Sequence, residues 1–119
     1  MRRLKKKSKI ITITKLKHKA DTVFSIWIRN RDKECFTCGS RQNLQCGHYV
    51  SRSHNSTRYD EENCHAQCIG CNVFKSGNMA EYSHQLGWKL CEKLLLKGKI
   101  LHQFTRQELQ AIIDKYTLT

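Results

Sequence analysis

The stretch that decides the fold is Cys35-Phe36-Thr37-Cys38 together with Cys68-Ile69-Gly70-Cys71, two Cys-x-x-Cys pairs that bracket residues 39–67. A two-residue spacer lets both thiolates of a pair face one ion from a tight turn, and two such knuckles complete a tetrahedral site. A dithiol redox motif is the alternative, and it is disfavoured because there are two pairs and no βαβ pattern. The sequence therefore predicts a structural Zn²⁺ bound by Cys35, Cys38, Cys68 and Cys71.

Three further cysteines remain outside this pattern, namely Cys46, Cys64 and Cys91. Cys91 lies in a helical apolar stripe, which predicts a small buried hydrophobe. Cys46 and Cys64 could compete as metal ligands, but neither has a partner at knuckle spacing. We therefore leave them out of the predicted zinc site.

The composition predicts one domain with a polyanionic partner. The chain has 119 residues, no proline and a net charge of +12. Such a charge points first to nucleic acid and second to an anionic membrane surface. No apolar run is long enough to predict a membrane span or a secretory signal. We expect a basic arm over residues 1–17 and a single domain over 18–119.

Helical sequence patterns flank a central segment that we expect to need a bound metal in order to fold. Residues 35–77 are rich in Cys, His, Asn, Gly and Ser, so apolar burial alone cannot order them. Apolar periodicity predicts helices over 18–33, 78–97 and 106–116, with Gly87 interrupting the second. Thr105 and Glu108 form a capping-box signature before the last. Leu86, Leu90 and Leu94 form a stripe that is either core or a homodimer interface.

The side chains between and after the knuckles suit phosphodiester cleavage. A histidine can deprotonate water near neutral pH. A hard cation such as Mg²⁺ can stabilise the charge of the transition state, and basic side chains can bind flanking phosphates. We predict phosphate contacts for Arg52, Arg58 and Lys75.

At this point the sequence resembles the HNH, or ββα-metal, endonucleases and, more narrowly, the phage lambda NinG recombination family. The resemblance covers about residues 33–86. It is carried by Gly47-His48-Tyr49, Arg58-Tyr59-Asp60-Glu61, Asn63-x-His65-x-Gln67-Cys68 and Cys71-Asn72-x-x-Lys75-Ser76-Gly77-Asn78. It implies an α+β fold with a zinc-stapled, treble-clef-like ββα-metal core and flanking helices.

The resemblance also implies a function and roles for three residues. The function is a DNA endonuclease that leaves 5′-phosphate and 3′-hydroxyl ends, acting on branched DNA such as Holliday junctions and D-loops in the cytoplasm of a phage-infected bacterium. His48 resembles the general base. Asn63 resembles the residue that holds the hairpin loop and orients the histidine, and Asn72 resembles the ligand of a catalytic Mg²⁺ or Mn²⁺.

One position departs from the family pattern. Many HNH enzymes have an aspartate directly before the catalytic histidine as a second cation ligand, whereas this chain has Gly47. Gln45, Asp60 and His65 are candidate replacements, and His65 is favoured because it follows Asn63 so closely.

Two other functions remain open. One is a non-catalytic zinc module that binds DNA, which Gly47 favours. The other is a sequence-specific homing or restriction nuclease, which the lack of a separate recognition domain disfavours. Symmetric cleavage of a junction needs two active sites, so the homodimer is a further hypothesis.

Overall fold

The computed structural model describes residues 10–118, which form five α-helices, a two-stranded sheet and one short π-helical turn. In chain order these are α1 (Ile13–Asp32), β1 (Leu44–His48), α2 (Asn55–Arg58), β2 (Cys64–Cys68), the π turn (Gly70–Phe74), α3 (Met79–Leu86), α4 (Trp88–Gly98) and α5 (Arg106–Tyr116). The predicted α+β class is confirmed. The element that follows β2 is a five-residue turn rather than a full helix, and the ββα-metal assignment stays a prediction.

Helix α1 begins at Ile13, whereas the apolar pattern predicted a start at residue 18. The cause is Thr12, whose side chain accepts a hydrogen bond of 3.1 Å from the Lys15 amide and caps the first turn. Residues 13–17, which the charge pattern assigned to the basic arm, are therefore helical. Residues 1–9 of that arm lie outside the described part of the chain.

Helices α1 and α5 pack along one apolar stripe that forms most of the core. Two sets of buried side chains meet there, one of Leu16, Ala20, Leu109 and Ile113 and one of Phe24, Ile28, Cys64, Ala66 and Tyr116. Burying a large apolar side chain contributes roughly 1.5–3 kcal/mol. The predicted capping box at Thr105 and Glu108 is present and begins α5 at Arg106.

The hairpin of β1 and β2 has two chemically different faces because successive side chains of a strand alternate. The antiparallel register pairs His48 with Cys64 and Gly47 with His65. One face carries Cys46, His48, Cys64 and Ala66, and it packs against α1 through Phe24 and Ile28. The other face carries Gln45, Gly47, His65 and Gln67. His48 and His65 therefore lie on opposite faces of the hairpin.

Gly87 divides the predicted C-terminal helix into α3 and α4, as the sequence suggested. Its backbone adopts φ 85° and ψ 149°, which L-residues with a side chain rarely adopt. Leu94 is fully buried, so it serves the core, whereas Trp88 and Leu96 on α4 are exposed. Among residues 10–118, no helix is both long and apolar enough to span a membrane.

Candidate functional site

The four predicted zinc ligands converge. The sulfur atoms of Cys35, Cys38, Cys68 and Cys71 all lie within 4.8 Å of one another, and the Cys38 and Cys68 sulfurs are 3.5 Å apart. A tetrahedral zinc site with Zn–S bonds of about 2.3 Å needs sulfurs about 3.8 Å apart. The donor set and its spacing therefore fit a structural Zn²⁺.

The local fold builds this cluster from two turns. At the first turn the Gly39 amide donates to the Cys35 carbonyl at 2.8 Å, and Gly39 has φ 82°. The Phe36 amide donates to the Ala66 carbonyl at 2.8 Å, which ties the turn to β2. The π turn then carries Cys71 back toward the same point.

Polar groups favour the thiolate of Cys35, whereas the pKa of Cys38 is raised to about 12: a hydrogen bond from the Ser40 backbone lowers it, but hydrogen bonds with the Cys68 and Cys35 sulfurs outweigh that effect. Burial raises the pKa of Cys35, but hydrogen bonds from the Thr37 hydroxyl, at 3.3 Å, and from backbone amides outweigh it and lower the pKa to about 6. The Asn78 amide donates to the Cys71 sulfur at 3.7 Å. Sequence reasoning missed the role of Thr37 and Asn78, although Asn78 belongs to the motif that carries the family resemblance.

Beside the cluster, two adjoining concavities share four lining residues, Cys46, His48, Arg52 and Asn72. We call the combined depression the hairpin cleft. One part also reaches Asp21 and Gln45, and the other reaches Tyr49 and Met79. The structure thus brings together predicted residues that are far apart in the sequence, namely His48, Arg52 and Asn72.

The His48 ring is held in one tautomer. Its Nε2 lies 2.9 Å from the Arg58 carbonyl oxygen, which can only accept a hydrogen bond. Nε2 therefore carries the proton and Nδ1 keeps the lone pair. Burial lowers the pKa of His48, and the charges of Arg52 and Arg58 lower it further. The imidazole is consequently neutral at neutral pH.

Asn63 is fully buried at the entry to β2 and organises the hairpin loop. Its Oδ1 accepts from the Val50 amide at 2.8 Å, and its Nδ2 donates to the carbonyls of Val50 at 3.0 Å and Thr57 at 3.1 Å. The loop that it holds includes the Arg58 carbonyl that fixes the His48 ring. Asn63 acts on the cleft through that loop.

Asn72 and Gln45 form a pair in the hairpin cleft. The Asn72 Nδ2 donates to the Gln45 Oε1 at 2.8 Å, which leaves the Asn72 Oδ1 for another partner. Of the three candidates for a second cation ligand, Gln45 is the one beside Asn72, although its oxygen already accepts this hydrogen bond.

The other two candidates lie elsewhere, and the structure does not bring the favoured His65 to the hairpin cleft. His65 is on the opposite face of the hairpin from His48, where its ring stacks on Phe36 at 4.0 Å and its Nδ1 lies 3.1 Å from the Tyr82 hydroxyl. Strand alternation, which sequence proximity to Asn63 does not reveal, is the reason. Asp60 is paired with Lys97 and caps the Glu62 amide.

A side chain at Gly47, such as the aspartate common in HNH enzymes, would require Gln67 to move. A Cβ atom built there would lie 2.0 Å from the Oε1 of Gln67. Gln67 is fully buried and donates to the Thr37 hydroxyl at 3.1 Å and to the Gly77 carbonyl at 2.8 Å. Its amide fills the space that a side chain before His48 would need.

The three predicted phosphate-binding residues differ in their availability. Arg58 forms a bidentate ion pair with Asp21 of α1, and its Nη1 donates to the Arg52 carbonyl at 2.8 Å. Its side chain is only 11% exposed, so it supports the loop rather than offering a free cation. Arg52 and Lys75 are exposed.

Asp21 is a site-supporting residue that sequence reasoning missed. Besides pairing with Arg58, it accepts a hydrogen bond of 2.8 Å from the Tyr59 hydroxyl. In the sequence Asp21 is an ordinary charge near a helix start, and no local signal marks its distant partners.

The fold and site define an α+β protein with a four-cysteine cluster that fits a structural zinc and a His/Asn cleft beside it. The sequence model of the family described as "Bacteriophage Lambda NinG protein" matches residues 1–119, so the chain belongs to that family.

Individual relatives agree with this membership. The chain is 32% identical over 105 residues to Protein ninG of Escherichia phage 933W, 32% over 106 residues to that of Salmonella phage P22, and 30% over 105 residues to that of Escherichia phage lambda. Each alignment covers 82% of this chain and 52% of the relative, so the chain spans about half the length of these relatives. No solved structure matches it.

Proposed function

We propose that this chain is a metal-dependent DNA endonuclease of the HNH type that hydrolyses phosphodiester bonds. The observation that carries the proposal is the hairpin cleft, where a neutral imidazole of fixed tautomer, a free amide oxygen and an exposed guanidinium meet. These three kinds of group can supply a general base, a cation ligand and a phosphate contact for phosphodiester hydrolysis.

His48 would act as the general base. With Nε2 protonated against the Arg58 carbonyl, Nδ1 would accept the proton of the attacking water. The lowered pKa keeps that lone pair available at neutral pH. Asn63 is a positioning residue, because its three hydrogen bonds hold the loop on which this tautomer depends.

Asn72 would bind the catalytic cation through its Oδ1, with Gln45 holding the amide in place. A bound Mg²⁺ or Mn²⁺ would stabilise the charge on the phosphate and on the leaving oxygen. Amide oxygens are neutral, and the carboxylate of Asp21 in the cleft is already paired with Arg58. We therefore expect a cation site that becomes strong only when a DNA phosphate completes it.

DNA contacts would come from exposed basic side chains around the cleft. Arg52 lines both parts of the cleft and Lys75 lies just after the π turn. The net charge of +12 favours a polyanion in general, without specifying its sequence.

Branched DNA is the substrate that we propose, in recombination in the cytoplasm of the phage-infected cell. This step rests on membership of the phage NinG family and on the resemblance from which we inferred junction cleavage. A basic protein that contacts mainly phosphates would recognise the shape of a junction more readily than a base sequence.

A cleavage assay tests the proposal. Wild type, His48→Ala and His84→Ala would be incubated with a four-way junction and a linear duplex, with Mg²⁺ or Mn²⁺. His84 is the matched control because it is exposed on α3 and does not line the cleft. We expect wild type and His84→Ala to cut the junction and His48→Ala to be slower by about 100-fold or more.

Other outcomes would contradict parts of the proposal. Equal cleavage of junction and linear duplex would refute selectivity for branches. Binding without cleavage under both metals would favour a non-catalytic zinc module, the second candidate. That candidate is supported by Gln67, which fills the space of the missing aspartate at Gly47.

A further inference from the structure

We propose that Cys46, His48 and Cys64 form a second metal site, specific for a thiophilic ion such as Zn²⁺, and that its occupation switches off His48 as a base. The existence of the site is independent of the proposed nuclease. Only the inhibitory consequence rests on the proposed function.

The geometry of the hairpin assembles the three ligands. One donor atom from each of these side chains lies within 4.8 Å of the other two. His48 is directly opposite Cys64 in the register, and Cys46 is on the same face. These residues are distinct from the four knuckle cysteines, so the two groups can be filled independently.

The donor set favours a soft ion over a hard one. Two thiolates and an imidazole are ligands typical of Zn²⁺, whereas Mg²⁺ prefers oxygen ligands and avoids thiols. A zinc tetrahedron needs donor atoms about 3.3–3.8 Å apart for bonds of about 2.0–2.3 Å. Small side-chain rotations would therefore suffice to close the present cluster.

Access and the remaining coordination position also suit an ion. Cys64 is fully buried, but Cys46 and His48 are half-buried and line the hairpin cleft. The Arg58 carbonyl lies 2.9 Å from the His48 Nε2 and 3.6 Å from the Cys64 sulfur. Because this carbonyl oxygen accepts the Nε2 proton, the ion would bind Nδ1, and a water from the cleft could complete the tetrahedron.

Binding of the ion would prevent His48 from acting as a general base. Neutral imidazole has one N–H group and one lone pair, so a ring nitrogen that binds an ion leaves no lone pair for a proton. Binding of Zn²⁺ by the two thiols would release two protons, and His48 would stay neutral. The ion thus occupies the group that the proposed reaction uses.

Metal stoichiometry provides the first test. Wild type, Cys46→Ser and Cys91→Ser, all reduced, would be titrated with Zn²⁺ and their bound ions counted by native mass spectrometry. Cys91 is the matched control because it is a cysteine of α4 outside both clusters. We expect two ions per chain in wild type and Cys91→Ser, and one in Cys46→Ser.

The same samples give a ligand-specific readout. The ¹⁵N resonances of the His48 ring should shift when the second ion binds to wild type and stay in place in Cys46→Ser, whose fold can be checked by circular dichroism. A single ion in wild type, or a second ion that persists in Cys46→Ser, would overturn the site. Because this readout needs no activity, it decides the site even if the chain does not cleave DNA.

The inhibitory step is tested by cleavage in Mg²⁺ with added Zn²⁺. Filling the second site should lower the wild-type rate by about 100-fold or more, the usual contribution of a general base. Cys46→Ser should lose most of this sensitivity, whereas Cys91→Ser should keep it. Equal inhibition of all three proteins would refute the switch while leaving the stoichiometry to decide the site.

Discussion

At the scale of single residues, the packing around Gly47 explains why this position has no side chain, which motif comparison does not explain. Many HNH enzymes have an aspartate there, but the buried Gln67 amide occupies the space that a side chain would need. Gly47→Ala should therefore lower the free energy of unfolding by roughly 1–3 kcal/mol through overpacking. Denaturant titration would measure the loss.

Gly70→Ala is a suitable control for this change. A Cβ there would meet the Cys68 sulfur at 3.8 Å, an ordinary contact, and should cost less. Gly47→Ala with the stability of wild type would contradict the packing argument.

The two arginines near the cleft should differ in how they affect DNA binding. Arg52→Ala should reduce the slope of log K against log salt by about 1, because an exposed phosphate contact is lost. Arg58→Ala should instead lower the free energy of unfolding. The Asp21 side chain is only 14% exposed, so its carboxylate would stay largely buried after losing its cationic partner. Binding titrations over a salt series, together with thermal melts, separate the two. Equal salt slopes for wild type and Arg52→Ala would contradict the assignment.

His65 should account for part of the dependence of the free energy of unfolding on pH. Burial lowers the pKa of His65 to about 4, and the charge of Arg31 adds to this effect. The folded state therefore binds fewer protons than the unfolded state between about pH 4 and 6.5, so stability should fall as the pH is lowered through that window. His65→Phe should flatten this part of the curve, measured by denaturant titration at each pH. An unchanged curve would show that other groups dominate it.

At the scale of elements, the capping box at the start of α5 has a measurable role. The Thr105 hydroxyl accepts from the Glu108 amide at 3.1 Å, and the Glu108 carboxylate accepts from the Thr105 amide at 3.2 Å. Thr105→Ala should cost about 1 kcal/mol of stability. Because α5 covers α1, the loss should appear in global unfolding by denaturant. Thr105→Ser, which keeps the hydroxyl, should retain most of the stability, and a full loss in that variant would contradict the capping explanation.

Elements were predicted best where one local rule acts alone. The capping box set the start of α5, and the positive φ available to glycine divided the helix at Gly87. The start of α1 was predicted too late, because apolar periodicity does not register a threonine cap among lysines. The short π turn after β2 was not predicted either, because apolar periodicity does not distinguish five such residues from a loop.

At the scale of the whole molecule, the zinc cluster should hold together a segment that has few apolar side chains. Removal of the ion with a strong chelator should therefore disorder residues 35–77. We expect the near-ultraviolet circular dichroism signal and DNA cleavage to be lost together, and added Mg²⁺ should not restore cleavage. Added Zn²⁺ at one equivalent should restore both. Full tertiary signal in a protein shown to be free of metal would contradict a structural role.

The sequence left open whether the stripe of Leu86, Leu90 and Leu94 belongs to the core or to a dimer interface, and the structure answers this for Leu94. Leu94 is fully buried within the chain, so it is not free to form an interface. The homodimer stays a prediction, to be tested by ultracentrifugation with and without junction DNA.

The sequence by itself determined the four-cysteine cluster and the helical flanks, which follow from spacing and periodicity, both local properties of a chain. The resemblance to a known family, rather than a local rule, singled out His48, Asn63 and Asn72. Only the tertiary structure decided that His65 lies across the sheet from His48, that Arg58 is paired with Asp21, and that Cys46 and Cys64 converge on His48. The reason is physical: side-chain alternation, strand register and the packing of α1 on the hairpin bring together or separate groups over distances that no local rule describes.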